Sequence, residues 1–402
     1  MTRDLSRQLT TVGITGTNGK TSTTRWTAAC LARLARPVAQ VTTLGAFLDD
    51  EPFDTAEDFE GFVCAMRAGA DRGGRFAAVE TTSEALARGF ARTWPCTIGI
   101  FTNLTRDHLD AHGSAEHYLA SKAQLFVHLP PGGTAVLNVA DPASSLLVEV
   151  LAPGVRVVGY AAESRGASVR PPELKAVAIE SSWGGTRVVI EPSGALSHAP
   201  RLLQLRAIGE VYAENALAAL ATALVLGVEP DDAAAALERA PAVPGRFELV
   251  AENARPRIVV DYAHTPDALA RTLSTARRLC DGDLWLVLGA GGERDQGKRA
   301  AMGSAASGAD HIVLTSDNPR SEDPARIAAA IREGVTNSSE VRTLLDRRQA
   351  ICSVVTAASE SDVIVIAGKG HEKVQLLAGR AEPFDDLAEA RAALAAREKH
   401  GG

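Results

Sequence analysis

One short stretch constrains this chain more than any other: Val12-Gly13-Ile14-Thr15-Gly16-Thr17-Asn18-Gly19-Lys20-Thr21-Ser22. Val12 to Thr15 read as a buried strand, and the residues from Lys20 onward read as a helix. The turn between them holds glycine and small polar residues. Such a turn lets backbone N–H groups converge on a phosphate at a helix N-terminus. Lys20 can reach β- and γ-phosphates, and the Thr21 hydroxyl can ligate Mg²⁺. The spacing departs from the general phosphate-loop pattern, because Ile14 stands where its first glycine would be. The bland alternative is a plain strand-to-helix turn with a solvated lysine; the strand–Gly-Lys-Thr–helix context favours the phosphate site.

A strand–turn–helix of this kind implies a layered α/β fold, and the rest of the chain has its rhythm. Strands are expected at 12–15, 38–43, 76–82, 97–103, 134–138 and 156–160, with helices between them, one at 115–129. Residues 176–205 alternate instead and carry Trp183-Gly184-Gly185 as a turn, so an antiparallel hairpin added to the first domain is expected there. Helical patterns follow at 211–226 and 231–240. Pro241-Ala-Val-Pro244-Gly245 reads as a linker, which divides the chain into domains at 1–241 and 242–402. Beyond it, strands are expected at 258–261, 284–288, 312–315 and 363–366. Thr265-Pro266 and Asp323-Pro324 each set a capping residue before a proline at the first helical position.

With 402 residues the chain has ample core for two α/β domains, and a cleft between them is the simplest architecture. A net charge of −7 without a basic block argues against nucleic acid as a partner. The N-terminal residues form no apolar signal segment, and the apolar helix near 213–228 is too short to span a membrane. The five cysteines are scattered without metal-ligand pairs, so a reduced cytoplasm with cysteine as core filler is expected.

Ligands of parallel sheets gather beyond the carboxyl ends of the strands. In the first domain those ends hold Glu80-Thr81-Thr82-Ser83 and Asn103-Leu104-Thr105-Arg106-Asp107-His108-Leu109-Asp110-Ala111-His112. A carboxylate and a histidine there could complete a Mg²⁺ site opened by Thr21, although Mg²⁺ prefers oxygen ligands. From the residues alone His108 is a ligand or a hydrogen-bonded structural histidine, and Lys122 on its helix reads as a solvated lysine. In the second domain the strand ends hold Asp261-Tyr262-Ala263-His264, Gly289-Ala-Gly-Gly-Glu-Arg294-Asp295, Asp317-Asn318-Pro319-Arg320 and Gly368-Lys369-Gly370-His371-Glu372. Four such ends, each with charge and an opened backbone, suggest a binding edge. Arg294 and Arg320 could grip a carboxylate bidentately, or pair with local acids on the surface.

Taken together, Thr15-Gly-Thr-Asn-Gly-Lys-Thr21, Thr102-Asn-Leu-Thr-Arg-Asp-His-Leu-Asp110, Asp261-Tyr-Ala-His-Thr-Pro-Asp-Ala-Leu269 and Asp317-Asn-Pro-Arg320 resemble the Mur ligase family. The nearest branch is the one that adds meso-diaminopimelate to a UDP-MurNAc-peptide. The resemblance runs from about residue 11 to about residue 375. It implies a P-loop parallel-sheet ATPase domain followed by a smaller Rossmann-like α/β domain, and an ADP-forming amide ligase using ATP and Mg²⁺. A substrate carboxylate would be activated as an acyl phosphate, and an amino acid's amine would then displace phosphate. By motif position, Gly16, Thr17, Asn18, Gly19, Lys20, Thr21 and Ser22 would hold the ATP phosphates. Thr21 and Glu80 would hold one Mg²⁺; His108 and Lys122 would serve a second, Lys122 as a carbamate, and Lys20, His108 and Lys122 would be the catalytic set. Asn215 matches an adenine-side asparagine, and Arg246 and Asp261 match residues that close over phosphate and ribose. Arg294, Asp317, Asn318, Arg320, Gly368 and Glu372 match the pocket for the incoming diamino acid.

There are also departures from the family pattern. Only about a dozen residues precede the phosphate loop, fewer than a UDP-sugar-binding domain needs. Residues 45–60 lack a Thr-Thr-Pro-type substrate loop, Tyr212 stands where an asparagine is common, and Ser316 replaces an acid. The expectation is therefore a two-domain cytoplasmic ligase of small molecules, joining a diaminopimelate-like amino acid to a carboxylate not carried on UDP-MurNAc. The competing readings are a polyglutamate- or folylpolyglutamate-type ligase and a non-catalytic nucleotide-binding subunit.

Overall fold

The structure is a computed structural model that describes residues 2–105, 112–336 and 340–400. The chain divides into two compact units, one ending at Pro241 and the other beginning at Ala242.

Among its described residues, the first unit is built on strands β1 (Thr10–Thr15), β2 (Val38–Thr42), β3 (Gly45–Leu48), β4 (Glu51–Phe53), β5 (Phe76–Glu80), β6 (Ile98–Phe101), β7 (Thr134–Asn138), β8 (Arg156–Ala162), β9 (Leu174–Ser182), β10 (Gly185–Pro192) and β11 (Leu202–Leu205). They form one sheet in the order β11-β10-β9-β8-β7-β6-β1-β5-β2-β3-β4. From β2 to β9 every pairing is parallel. Both edges are antiparallel: β10 and β11 on one side, β3 and β4 on the other. The hairpin expected near Trp183 is β9–β10, and it extends the main sheet. The β3–β4 meander carries no such signal in the sequence, since its strands are short and lie at the exposed edge.

β1 sits in the middle, between β5 and β6, and its residues Thr11 to Thr15 are all buried. Gly13 on β1 and Gly99 on β6 stand side by side. A Cβ on Gly13 would come within 2.7 Å of Leu125 Cδ1, and one on Gly99 within 3.2 Å of Phe126 Cε1. Their missing side chains let the helix Ala115–Val127 lie directly on the strands. That approach brings Lys122 to the end of β1.

The second unit orders its main sheet β12-β13-β17-β14-β15-β16 from β12 (Glu248–Leu249), β13 (Arg257–Asp261), β14 (Leu284–Leu288), β15 (His311–Leu314), β16 (Glu340–Thr343) and β17 (Val363–Ala367). Only β12 is antiparallel. The apolar runs Leu284–Leu288 and Val363–Ala367 are buried throughout, as strands covered on both faces must be. Thr265 and Asp323 cap helices as the sequence implies, accepting from Ala268 N and Ala325 N, with Pro266 and Pro324 at the first turn. A two-stranded ribbon, β18 (Val374–Leu377) with β19 (Arg380–Pro383), follows β17.

Two buried side chains tie the ends of this sheet together. Arg347 and Asp386, both 0% exposed, form a paired fork at 2.7 Å. The same guanidinium donates to the Ala367 carbonyl at the end of β17 and the Ser316 carbonyl after β15. Removing one partner strands the other charge in the core, which costs about 3–5 kcal/mol. Arg347→Met should lose that much in a denaturant unfolding curve at unchanged slope; a loss under about 1 kcal/mol would show that the pair adds nothing.

The cysteines only partly meet expectation. Cys30 and Cys96 are buried, with thiols pushed up to about 12 by burial, whereas Cys64 and Cys352 are exposed. No helix among the described residues is long and apolar enough to cross a membrane.

Candidate active site

The phosphate loop runs from the end of β1 into the helix Lys20–Leu31. Gly16 and Gly19 take φ of +149° and +84°, and a Cβ on Gly16 would fall 1.9 Å from Thr102 Oγ1. The loop is laced to the segment after β6. Thr17 N donates to Asn103 O at 2.8 Å, Asn18 N to Asn103 Oδ1 at 2.9 Å, and Thr102 Oγ1 to Asn18 O at 2.7 Å. The sequence reading assigned the whole loop to phosphate, but the structure divides it: the N–H groups of Thr17 and Asn18 are committed to Asn103. Gly19, the N-cap, supplies no side-chain cap to the helix. Uncapped N–H groups of a first turn, with the helix dipole behind them, suit an anion.

Lys20 folds over this loop, its ammonium 2.8 Å from Thr17 O and 4.0 Å from Glu80 Oε1. Thr21 Oγ1 donates to Glu80 Oε2 at 2.9 Å, and Thr43 N donates to the same oxygen at 3.2 Å. A hydroxyl and a carboxylate side by side next to a phosphate cradle are hard oxygen donors that fit Mg²⁺, which keeps waters and phosphate oxygens in its remaining positions. Among the described residues no three His, Cys, Asp or Glu side chains gather as a metal cage. Ser22 is buried in the first turn of the helix.

Lys122 is not the solvated lysine that its helix position suggested. It is 1% exposed, donates to Gly16 O at 2.8 Å, and sits 4.1 Å from the centre of the Tyr118 ring. His108 lies outside the described residues. His112 bridges Ser83 at 2.9 Å and Ser121 at 3.3 Å, so it joins the end of β5 to the lysine-bearing helix. Asn215 is buried on the helix Glu210–Val225 with its amide against the loop: a Cβ on Gly19 would lie 2.4 Å from Asn215 Oδ1. Its neighbour Glu214 is clamped by Arg165 at 2.5 and 2.8 Å. Nothing in the sequence marked Arg165, because its partner stands 49 residues away.

In the second unit, Arg246 stacks over Tyr262, 4.4 Å from the ring centre. Asp261 ends β13 and turns inward, accepting from Phe247 N at 2.6 Å and Thr272 Oγ1 at 3.1 Å. Burial pushes its carboxyl above the ordinary range, against the pull of Arg246.

The six expected amine-pocket residues converge. Gly291 lies between the Arg320 guanidinium and the stem of the exposed Arg294: a Cβ there would meet Arg320 Nη1 at 3.2 Å and Arg294 Cγ at 3.6 Å. Arg320 has a positive φ of 55° and donates to Gly292 O at 2.6 Å. Asn318 Nδ2 donates to Glu372 Oε2 at 2.7 Å. Asp317 is buried against Gly368, where a Cβ would fall 2.5 Å from Asp317 Oδ2. Burial raises the Asp317 carboxyl while Arg347 and Lys369 oppose the shift. Lys369, between Gly368 and Gly370, is 0% exposed within this cluster. Glu322, one of the local acids that could have paired with Arg294 or Arg320, instead pairs with Arg299 at 2.9 Å beside the Glu293 turn.

Comparison with known proteins agrees with this geometry. Residues 14–223 match the Mur ligase middle domain, and residues 245–370 match the Mur ligase glutamate ligase domain. The UDP-N-acetylmuramoyl-L-alanyl-D-glutamate--2,6-diaminopimelate ligase of Ralstonia nicotianae is 40% identical over 97% of this chain and 76% of its own length. That of Thermosynechococcus vestitus is 39% identical over 98% and 78%. A solved structure of a ligase of the same name superposes with a TM-score of 0.66 at 31% identity, covering 99% of this chain and 81% of the other. A Mycobacterium tuberculosis folylpolyglutamate synthase complexed with ADP shares the fold, at a TM-score of 0.72 and 21% identity over 100% and 92%. An uncapped phosphate loop beside a Thr–Glu oxygen pair, on a chain matched along most of its length, makes this protein a member of the Mur ligase family of ATP-dependent amide ligases, which use ATP and Mg²⁺.

Proposed function

We propose that this enzyme joins a substrate carboxylate to the amine of a diaminopimelate-like amino acid, forming ADP and phosphate. The observation that carries the amine assignment is the second-domain cluster, in which Arg294 and Arg320 flank Gly291 and an Asn318–Glu372 pair closes the motif. Guanidinium forks suit carboxylates and Glu372 suits an ammonium, the groups of a zwitterionic amino acid.

In the first domain, Lys20 and the helix N-terminus at Gly19 would hold the β- and γ-phosphates of ATP. Thr21 and Glu80 would hold Mg²⁺, which when bound neutralises charge on the phosphate oxygens. The acceptor carboxylate takes the phosphoryl group; the amine nitrogen then bonds to the acyl carbon, phosphate departs with its oxygen, and the amine gives up a proton. Asn215, whose amide lies against Gly19, is assigned to the adenine side, Arg246 and Asp261 to the nucleotide's phosphate and ribose, and Asp317 and Gly368 to the amine pocket. His108 keeps its assignment as a metal ligand by motif position alone. The reading is of a cytoplasmic enzyme acting on small molecules.

Lys122 belongs to this proposal as a carbamate. Lys122 is buried beside Gly16 O and the Tyr118 ring at the end of β1, and carbamylation turns its cation into an anion whose oxygens suit Mg²⁺. The carbamate nitrogen keeps an N–H for Gly16 O and adds two oxygens. Carbon-13 bicarbonate should give a carbamate NMR signal that Lys122→Arg abolishes; the same signal persisting in the variant would refute the assignment.

The fold is shared with folylpolyglutamate synthase, so fold alone does not choose the amine. Phosphate release from ATP, measured with diaminopimelate, lysine and glutamate against a panel of acceptors that includes UDP-N-acetylmuramoyl-L-alanyl-D-glutamate, tests the proposal. Turnover with glutamate but not diaminopimelate would replace it.

A further inference from the structure

Lys369 is buried among acceptors: Val374 O at 2.6 Å, Asn318 Oδ1 at 3.2 Å and Glu372 Oε2 at 3.2 Å, with Asp317 Oδ1 at 4.0 Å. Ammonium groups are almost never fully buried unless paired, and this one is satisfied wholly within the strand-end cluster. Its flanking glycines make the placement possible. Gly368 and Gly370 both take positive φ, and side chains there would collide with Asp317 and with Tyr262. The Gly-Lys-Gly run therefore packs its backbone tightly and turns the lysine inward.

The consequence falls on Asn318. Its Oδ1 accepts from Leu376 N at 2.9 Å as well as from Lys369. Reversing the amide would set NH₂ against two donors, so Lys369 and Leu376 together fix which end of Asn318 is nitrogen. One Nδ2 hydrogen goes to Glu372 Oε2. Both contacts that Glu372's carboxylate makes, to Asn318 and to Lys369, use Oε2. The other Nδ2 hydrogen and Glu372 Oε1 then remain as one donor and one acceptor. The Glu372 side chain is 30% exposed whereas Asn318 is buried, so the acceptor is the reachable member.

We infer that Lys369 is a positioning residue that sets the polarity of the amine pocket: it locks Asn318 as donor and Glu372 as acceptor, and so enforces selection of a zwitterionic end group. This rests on the reading of the cluster as the amine pocket. Removing the ammonium would leave Leu376 N as the single donor holding Asn318 Oδ1 and would take away the cation that Glu372 and Asp317 share.

The test uses the full chain and phosphate release from ATP. Lys369→Met should raise KM for diaminopimelate about 10-fold or more, the usual effect of losing a charged hydrogen bond, with KM for ATP moved less than about twofold. Its preference for diaminopimelate over lysine should shrink by a similar factor. Adding Glu372→Gln to Lys369→Met should cost little more than the larger single change, because the two act as a unit. Multiplicative losses, or a folded variant with unchanged discrimination, would overturn the inference. Should Lys369→Met not fold, the wild-type Lys369 ammonium resonance decides. It should shift on saturation with diaminopimelate and not with ATP, and an unmoved resonance would refute the role. Failure of the underlying reading looks different: wild-type enzyme would then show no diaminopimelate-dependent phosphate release at all.

Discussion

Lys20→Ala should lower kcat by about 10²–10³-fold or more, the size seen when one well-placed electrostatic donor is lost from a transition state. The reason lies in how little covalent work phosphoryl transfer leaves to the protein: positioning and charge neutralisation carry the catalysis. The structure places the Lys20 ammonium over the phosphate loop, between Thr17 O and Glu80. In its absence Glu80 faces the phosphates with only Mg²⁺ to offset its charge, so the loss should appear in kcat as well as in KM for ATP. Stability should change little, since the Lys20 side chain is 16% exposed and its one hydrogen bond is to its own loop. Single-turnover phosphate release separates these effects. A Lys20→Ala enzyme within about tenfold of wild type would mean that the transferring phosphoryl group is bound elsewhere.

The second large effect concerns the amine. A site that pairs buried polar groups with a substrate rejects analogues lacking those groups by about 10⁴-fold or more. On the proposed assignment of the amine pocket, diaminopimelate should exceed lysine in kcat/KM by about 10³-fold or more, since lysine has no distal carboxylate for Arg320 to grip. Arg320→Lys should lose most of that preference while keeping the charge. A lysine ammonium is a point charge and cannot form the fork. It would also forfeit the Gly292 contact that aims the guanidinium. Equal kcat/KM for the two amines would remove the amine assignment and leave the phosphate site untouched.

The sequence by itself determined the elements that are short-range in origin. The β1–loop–helix unit follows from an apolar run, glycines and a helix start within eleven residues, Val12 to Ser22. The parallel α/β rhythm, the Trp183 turn and the Thr265-Pro266 and Asp323-Pro324 helix starts likewise have causes within a few residues of each other. The strand-end motifs were readable because parallel sheets put chemistry at carboxyl ends. Tertiary structure decided whatever depends on partners distant in the chain. Whether Lys122 is solvated or buried turned on Gly13 and Gly99 admitting its helix to the sheet, with Gly16 O as acceptor 106 residues away. The commitment of Thr17 and Asn18 to Asn103, 85 residues on from Asn18, has no local signature either. The same holds for Arg347, whose charge is met by Asp386, 39 residues later, at the closing of two strand ends. Lys369 shows the boundary most plainly. Its flanking glycines announce a special backbone, but a buried ammonium is tolerable only once Asn318, Glu372 and Val374 surround it, and that enclosure exists only in the folded domain.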